Sequence, residues 1–265
     1  MAKKIIPDHW ETNSWEDKAK ENPLYAVMTM PDMADASADD FSEEHLQLFF
    51  EKGRKLAERL VLPSLANAPG TGLVVEYGCG AGRILNALVE RGIRCAGIDI
   101  SPTMLSHCER LVPGIESLIS LNSEGRADLP DRCARLVYSY AVVQHIDKLS
   151  SYEMAVSEMC RLLVPGGRLV LQVNCEDFAL AANGQLGRTE NFEGHSIHYA
   201  PGTTQGIVHK NSTWSGVYIG FDCLQYLLLH NGVTVSDTVP FSEKKPRAIV
   251  VFGYKSGKTY RTRDV

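Results

Sequence analysis

Three features of the sequence predict an α/β fold built on a doubly wound, mostly parallel sheet of seven strands. Between Leu73 and Val173 short apolar runs alternate with helical stretches, the rhythm of a parallel sheet wrapped on both faces. A glycine-rich turn, Gly78 to Gly82, follows the first strand, and a carboxylate, Asp99, ends the second. The last two strands, Val233–Val239 and Ala248–Tyr254, are joined by only eight residues. That is too short for a parallel crossover, so the C-terminal pair is predicted antiparallel.

The first 40 residues are polar and broken by Pro7, Pro23 and Pro31, yet they carry Trp10, Trp15, Tyr25 and three methionines beyond Met1. A disordered leader would be poorer in aromatics, so this segment is expected to pack over something. Ser42-Glu43-Glu44 then opens a capped amphipathic helix over His45–Leu60, with Leu46, Phe49, Phe50, Leu56 and Leu60 broadly on one face. Pro63, Pro69, Gly70 and Gly72 mark a linker. Residues 1–65 are thus expected to form a lid or helical segment, and 66–265 the main domain.

Strand 73–77 leads to helix 82–91, strand 93–98, a Ser101-capped helix to about Leu111 and a weaker strand at Ser117–Leu121. Arg135–Tyr140 is the fourth strand. A helix from Ser150/Ser151 to about Leu163 is stopped by Val164-Pro-Gly-Gly167, and Arg168–Val173 reads as a strand buried on both faces. Residues 175–220 break the rhythm and are read as an insertion forming a second lid. A helix over 221–231 precedes the final strand pair.

Composition excludes several classes. The chain is 44% apolar and 22% charged, ordinary for a globular protein of 265 residues. A net charge of −5 disfavours nucleic acid as the main partner; Lys244, Lys245, Arg247, Lys255, Lys258, Arg261 and Arg263 read as a solvated edge and tail. Seven scattered cysteines without a CxxC pair suggest neither disulfides nor zinc. The start lacks an apolar signal core and no run reaches membrane-spanning length, so no membrane association and a cytoplasmic setting are expected.

In an open parallel sheet, ligands bind at the carboxyl ends of the strands. The glycine turn, Asp99, Asp128-Leu129 and segment 140–147 all fall on that edge. A dinucleotide site needs a third glycine where this chain has Arg83, and Glu76 just before the turn would repel a pyrophosphate. A ligand bearing ammonium and sulfonium charge suits Glu76 instead, and Asp99 can accept from both hydroxyls of a ribose.

Glu76-Tyr-Gly-Cys-Gly-Ala-Gly82, Gly97-Ile-Asp99-Ile-Ser, Ala127-Asp128-Leu129-Pro and Leu163-Val-Pro-Gly-Gly167 together resemble the motifs of class I S-adenosylmethionine-dependent methyltransferases of the small-molecule type. The resemblance covers about residues 70–175 and implies a Rossmann-like methyltransferase fold with S-adenosylmethionine as cofactor. It implies that Gly78, Gly80 and Gly82 pass beneath the methionine moiety, with Glu76 near its amino group. Asp99 would hold the ribose, Ile100 and Met104 flank the adenine, and Asp128 and Leu129 read its edge. Tyr140 would lie at the sulfonium end. Arg54, on a helix resembling the one that closes over the cofactor, would meet the methionine carboxylate; an exposed helix charge is the other reading.

Methyl transfer needs chiefly alignment and exclusion of water, with a general base adding rate if the nucleophile is a hydroxyl. His145, about five residues past the fourth strand, is the candidate base; His195, His198, His209 and Tyr25 are further options. His195-x-x-His198 with Glu193 and His209 is too loose to predict a metal site. Asn22-Pro23-Leu24-Tyr25 loosely echoes a box of nucleic-acid amine methyltransferases, but its second proline is missing and no such box follows the fourth strand. The expected acceptor is therefore a small molecule, with oxygen ahead of nitrogen or carbon. A nicotinamide-dependent oxidoreductase and a non-catalytic S-adenosylmethionine-binding protein are the alternatives; the sequence sets no oligomeric state.

Overall fold

The computed structural model describes residues 12–28, 30–33, 41–146, 148–174, 189–192, 195–199, 217–242 and 245–256. The chain divides into two compact units at Leu129/Pro130. Its main sheet has seven strands in the order β3-β2-β1-β4-β5-β10-β9, and a second sheet has the order β6-β7-β8. That is the doubly wound α/β arrangement expected.

The first unit contains α1 (Thr12–Glu21), α2 (Pro23–Val27), α3 (Glu43–Leu56), a π-helical turn (Ala57–Val61) and α4 (Leu62–Ala66). These are followed by β1 (Leu73–Tyr77), α5 (Leu85–Val89), β2 (Cys95–Asp99), α6 (Pro102–Leu111) and β3 (Ser117–Ser120). β1 pairs in parallel with β2, and β2 with β3. All five residues of β1 are buried, as suits a strand covered on both faces.

The leader shares this core. Leu24, Met28 and Met33 pack in one cluster with Phe49 of α3, Ala81 of the glycine turn and Met104 of α6. Asn22 explains the tetrapeptide that begins with it. Its Oδ1 accepts from Tyr25 N at 2.9 Å and its Nδ2 donates to Met33 O at 2.8 Å, so Asn22-Pro23 is a helix cap with proline in the first turn. Ser42 caps α3 as expected, accepting from His45 N at 3.1 Å. Pro63, expected in a linker, instead sits in the first turn of α4, where its missing N–H loses no helix bond.

The second unit contains β4 (Ala134–Ser139), α7 (Leu149–Leu162), β5 (Leu163–Asn174), β6 (Thr189–Phe192), β7 (His195–Tyr199), β8 (Val217–Ile219), α8 (Phe221–His230), β9 (Val233–Ser242) and β10 (Lys245–Lys255). β4 and β5 are parallel, whereas β10 runs antiparallel to both β5 and β9, as the short connection requires. β5 begins five residues earlier than expected because its register against β4 shifts between Ala134 and Leu136, which absorbs Pro165-Gly166-Gly167. The insertion, which breaks the strand–helix rhythm in the sequence, carries the three antiparallel strands β6 to β8. Among the described residues no helix is long and apolar enough to cross a membrane.

Candidate functional site

In the first unit the carboxyl ends of β1 and β2 are joined by backbone. Gly78 N and Cys79 N both donate to Ile98 O, at 2.7 and 2.9 Å, folding the glycine turn back over β2. Gly80 N then donates to Asp99 Oδ2 at 2.8 Å, and Ser101 N to Asp99 Oδ1 at 2.9 Å. Gly78, Gly80 and Gly82 all have positive φ, at 78°, 51° and 83°. Gly80 is needed for space as well: a Cβ there would lie 2.6 Å from Val27 Cγ2.

Burial pushes the Asp99 carboxyl above the ordinary aspartate range. N–H groups of Ser101, Gly80 and Ile100 counter this, while the nearby charge of Glu16 adds to it. Each Asp99 oxygen accepts one of the two backbone bonds above and keeps acceptor capacity for another donor. A buried carboxylate (Glu76) before the turn, a second at the next strand tip and a bare backbone between them fit a ligand with an ammonium at one end and a diol at the other.

The remaining expected cofactor residues of this unit are placed as follows. Met104 is buried on α6, Ile100 is half-buried beside Asp99, and Leu129 is half-buried with its N–H on Ala127 O at 2.8 Å. Asp128 is exposed at that turn. Arg54 is 50% exposed and its Nη2 lies 3.9 Å from Glu90 Oε2. The glycine of the same helix is more telling: a Cβ on Gly53 would lie 1.8 Å from Arg83 O, so α3 touches the backbone that leaves the glycine turn.

Glu16, unremarked in the sequence, reaches the start of α6. Ser101 Oγ donates to its Oε2 at 2.6 Å, Thr103 Oγ1 to its Oε1, and Thr103 N to Oε2 at 3.3 Å. Burial opposes its charge, but these bonds and Lys20 outweigh it and hold its pKa below the ordinary glutamate range.

In the second unit the segment after β4 is held by a buried amide. Gln172 of β5 accepts Ala141 N–H on Oε1 at 2.8 Å and donates from Nε2 to Gln144 Oε1 at 3.1 Å. Gln144 Nε2 in turn lies 3.2 Å from His145 Nε2. The orientation propagates from the backbone: an acceptor toward Ala141 N fixes both amides, so His145 Nε2 is the unprotonated ring nitrogen. Ala141, not glycine, has φ 59°, a conformation this bond supports. The Tyr140 ring packs 5.7 Å from Phe241. Gln172 could have been found in the sequence, as the one polar residue in the run from Leu169 to Val173.

His195 and His198 lie on β7, whereas Glu193 and His209 fall outside the described residues. Among the described residues no three His, Cys, Asp or Glu side chains gather as a metal site would need. Tyr25 is 37% exposed.

A methyltransferase-domain family model matches residues 75–171, from β1 into β5. Over 124 residues the chain is 29% identical to an uncharacterized methyltransferase of Mycobacterium tuberculosis, covering 47% of this chain and 49% of the relative. Over 119 residues it is 29% identical to malonyl-[acyl-carrier protein] O-methyltransferase of Methylococcus capsulatus, covering 44% and 42%. The chain therefore spans about half the length of the curated relatives it matches. Its fold is like that of 1,6-didemethyltoxoflavin-N1-methyltransferase from Burkholderia thailandensis, solved with 1,6-didemethyltoxoflavin and S-adenosylhomocysteine bound. That likeness has a TM-score of 0.56 at 15% identity and covers 97% of this chain and 93% of the other. Residues 75–171 thus match a methyltransferase domain, and the chain's fold is like that of a methyltransferase solved with S-adenosylhomocysteine bound.

Proposed function

We propose that the chain transfers a methyl group from S-adenosylmethionine to a small-molecule acceptor, most readily a hydroxyl or carboxyl oxygen. The observation that carries the reaction class is the pairing of Asp99 with Gly80 N–H across a turn of positive-φ glycines. Bound there, S-adenosylmethionine supplies a methyl group already activated by positive sulfur.

In the first unit Gly78, Gly80 and Gly82 offer backbone to the methionine half, Glu76 takes the ammonium, and Arg54 the carboxylate. Asp99 takes the ribose hydroxyls, Ile100 and Met104 the adenine faces, and Asp128 and Leu129 the adenine edge. The leader and the 175–220 insertion serve as lids that exclude water. In the second unit Tyr140 serves the sulfonium end and His145 removes the acceptor's proton. Removing a correctly placed base lowers the rate by about 10²–10⁴-fold.

The small-molecule reading is supported by the capping role of Asn22-Pro23 and by the net charge of −5, neither of which favours a nucleic-acid base. Nitrogen methylation is the second reading, because the Burkholderia protein is an N1-methyltransferase on the same fold. A screen of hydroxyl, carboxyl and amine acceptors with labelled S-adenosylmethionine separates the two. Turnover confined to amines overturns the oxygen assignment. A His145→Ala variant with an unchanged pH–rate profile removes His145 as the base.

A further inference from the structure

We propose that Glu16 is a positioning residue for the nucleoside half of the cofactor, acting through Ser101 and Thr103 at the start of α6. The inference rests on the assignment of Asp99 to the ribose. Ser101 is fully buried and serves three partners at once. Its N–H is donated to Asp99 Oδ1 at 2.9 Å, its Oγ accepts from Met104 N at 3.0 Å, and its hydroxyl proton goes to Glu16 Oε2 at 2.6 Å.

A hydroxyl has one proton and two lone pairs, so where the proton goes decides where the lone pairs face. Glu16 fixes the proton and thereby turns a lone pair toward Met104 N, which is the cap of α6. Thr103 adds a second hydroxyl and its N–H to the same carboxylate. The Glu16 charge also lies at the positive end of a ten-residue helix, where an anion is favoured. Met104, the expected adenine neighbour, and Asp99 are thus tied through one serine to a residue 85 positions earlier in the chain. Docking of α1 and binding of the nucleoside stabilise the same arrangement, so each strengthens the other.

A structural cross-link alone would leave the titration of Asp99 untouched, and Glu16 does not. Burial is the larger cause of the raised Asp99 carboxyl and the like charge of Glu16 adds to it; Cys79, from the glycine turn, feels both Asp99 and Glu76, and its bond with Cys108 and its burial hold the thiol well above the ordinary range. The test is calorimetric titration with S-adenosylhomocysteine of the wild type and of Glu16→Ala, Glu16→Gln, Ser101→Ala and the Glu16→Ala/Ser101→Ala pair, with circular dichroism as the folding check.

Glu16→Ala is expected to weaken binding about tenfold, the loss of a charged hydrogen-bond acceptor. Glu16→Gln keeps an oxygen for Ser101 and is expected to recover to within about threefold. In Glu16→Gln the acid limb of binding shifts to lower pH, because the like charge beside Asp99 is gone. The paired variant is expected to bind no more weakly than the worse single one, as for residues acting through each other. Glu16→Ala within about twofold of wild type, additive losses in the pair, or an unshifted acid limb in Glu16→Gln would each overturn the proposal. Asp99→Ala is run alongside. If it too leaves affinity unchanged, the ribose assignment fails; if it alone abolishes binding, only the role of Glu16 does.

Discussion

At the scale of the residue, the carboxylates divide by environment. Asp99 is raised by burial and so titrates above an ordinary aspartate, while Glu16 is held low by donors from α6. The sign follows from linkage. The folded state keeps the Asp99 proton longer than the unfolded chain, so this group's contribution to the ligand-free protein falls as pH rises through the raised value. On the proposed ribose assignment Asp99 accepts in its ionised form, so affinity moves the other way. Calorimetry across pH should show S-adenosylhomocysteine binding weakening on acidification at a higher pH than an ordinary aspartate would cause. In the second unit Arg161 grips buried Glu158 with two bonds of 2.7 Å and reaches Asp131 at 2.6 Å. Arg161→Met removes both of these bonds from the buried Glu158 carboxylate and should destabilise the fold by about 3–5 kcal/mol, read from urea unfolding.

At the scale of the element, α3 is set by one missing side chain. Its capped start and apolar face were legible in the sequence, because Ser42 and the 3.6-residue period are local features. Its seat was not. Gly53 reads as a mid-helix weakness, a position costing about 1 kcal/mol relative to alanine. Against Arg83 O it is the only residue type that fits, since a Cβ would fall 1.8 Å from that oxygen. Gly53→Ala should therefore destabilise despite its better helix propensity, by about 1–3 kcal/mol of overpacking, and should weaken S-adenosylhomocysteine binding as α3 pushes on the glycine turn. Thermal melting and calorimetry on the one variant check both. The same logic separates α5 from its expected length: Gly82 at φ 83° delays the helix until Leu85.

At the scale of the whole molecule, burial governs cysteine chemistry. Cys79, Cys95, Cys108, Cys160 and Cys223 are buried, and Cys133 is the one partly accessible thiol among the described cysteines. Burial drives the Cys160 thiol up to about 12, and the bond of Cys79 with Cys108, together with burial, holds Cys79 well above the ordinary thiol range. Thiolate is the reactive form. Peptide mapping after brief alkylation of the native protein should accordingly find Cys133 labelled well ahead of those five. Equal labelling would mean that the cores of both units open readily.

The strand–helix rhythm, the antiparallel C-terminal pair, the glycine turn and Asp99 all follow from residues within a few positions of one another. Periodicity, turn chemistry and connection length are local properties, and they determined the fold class. Pairings across long separations were not accessible that way. Glu16 meets Ser101 in the first unit, and Gln172 meets Ala141 in the second, only because each unit folds together elements distant in sequence. Side-chain hydrogen bonds are decided by position in space. The tertiary structure therefore decided what the sequence left open: which polar groups hold the glycine turn, Asp99 and the candidate base in place.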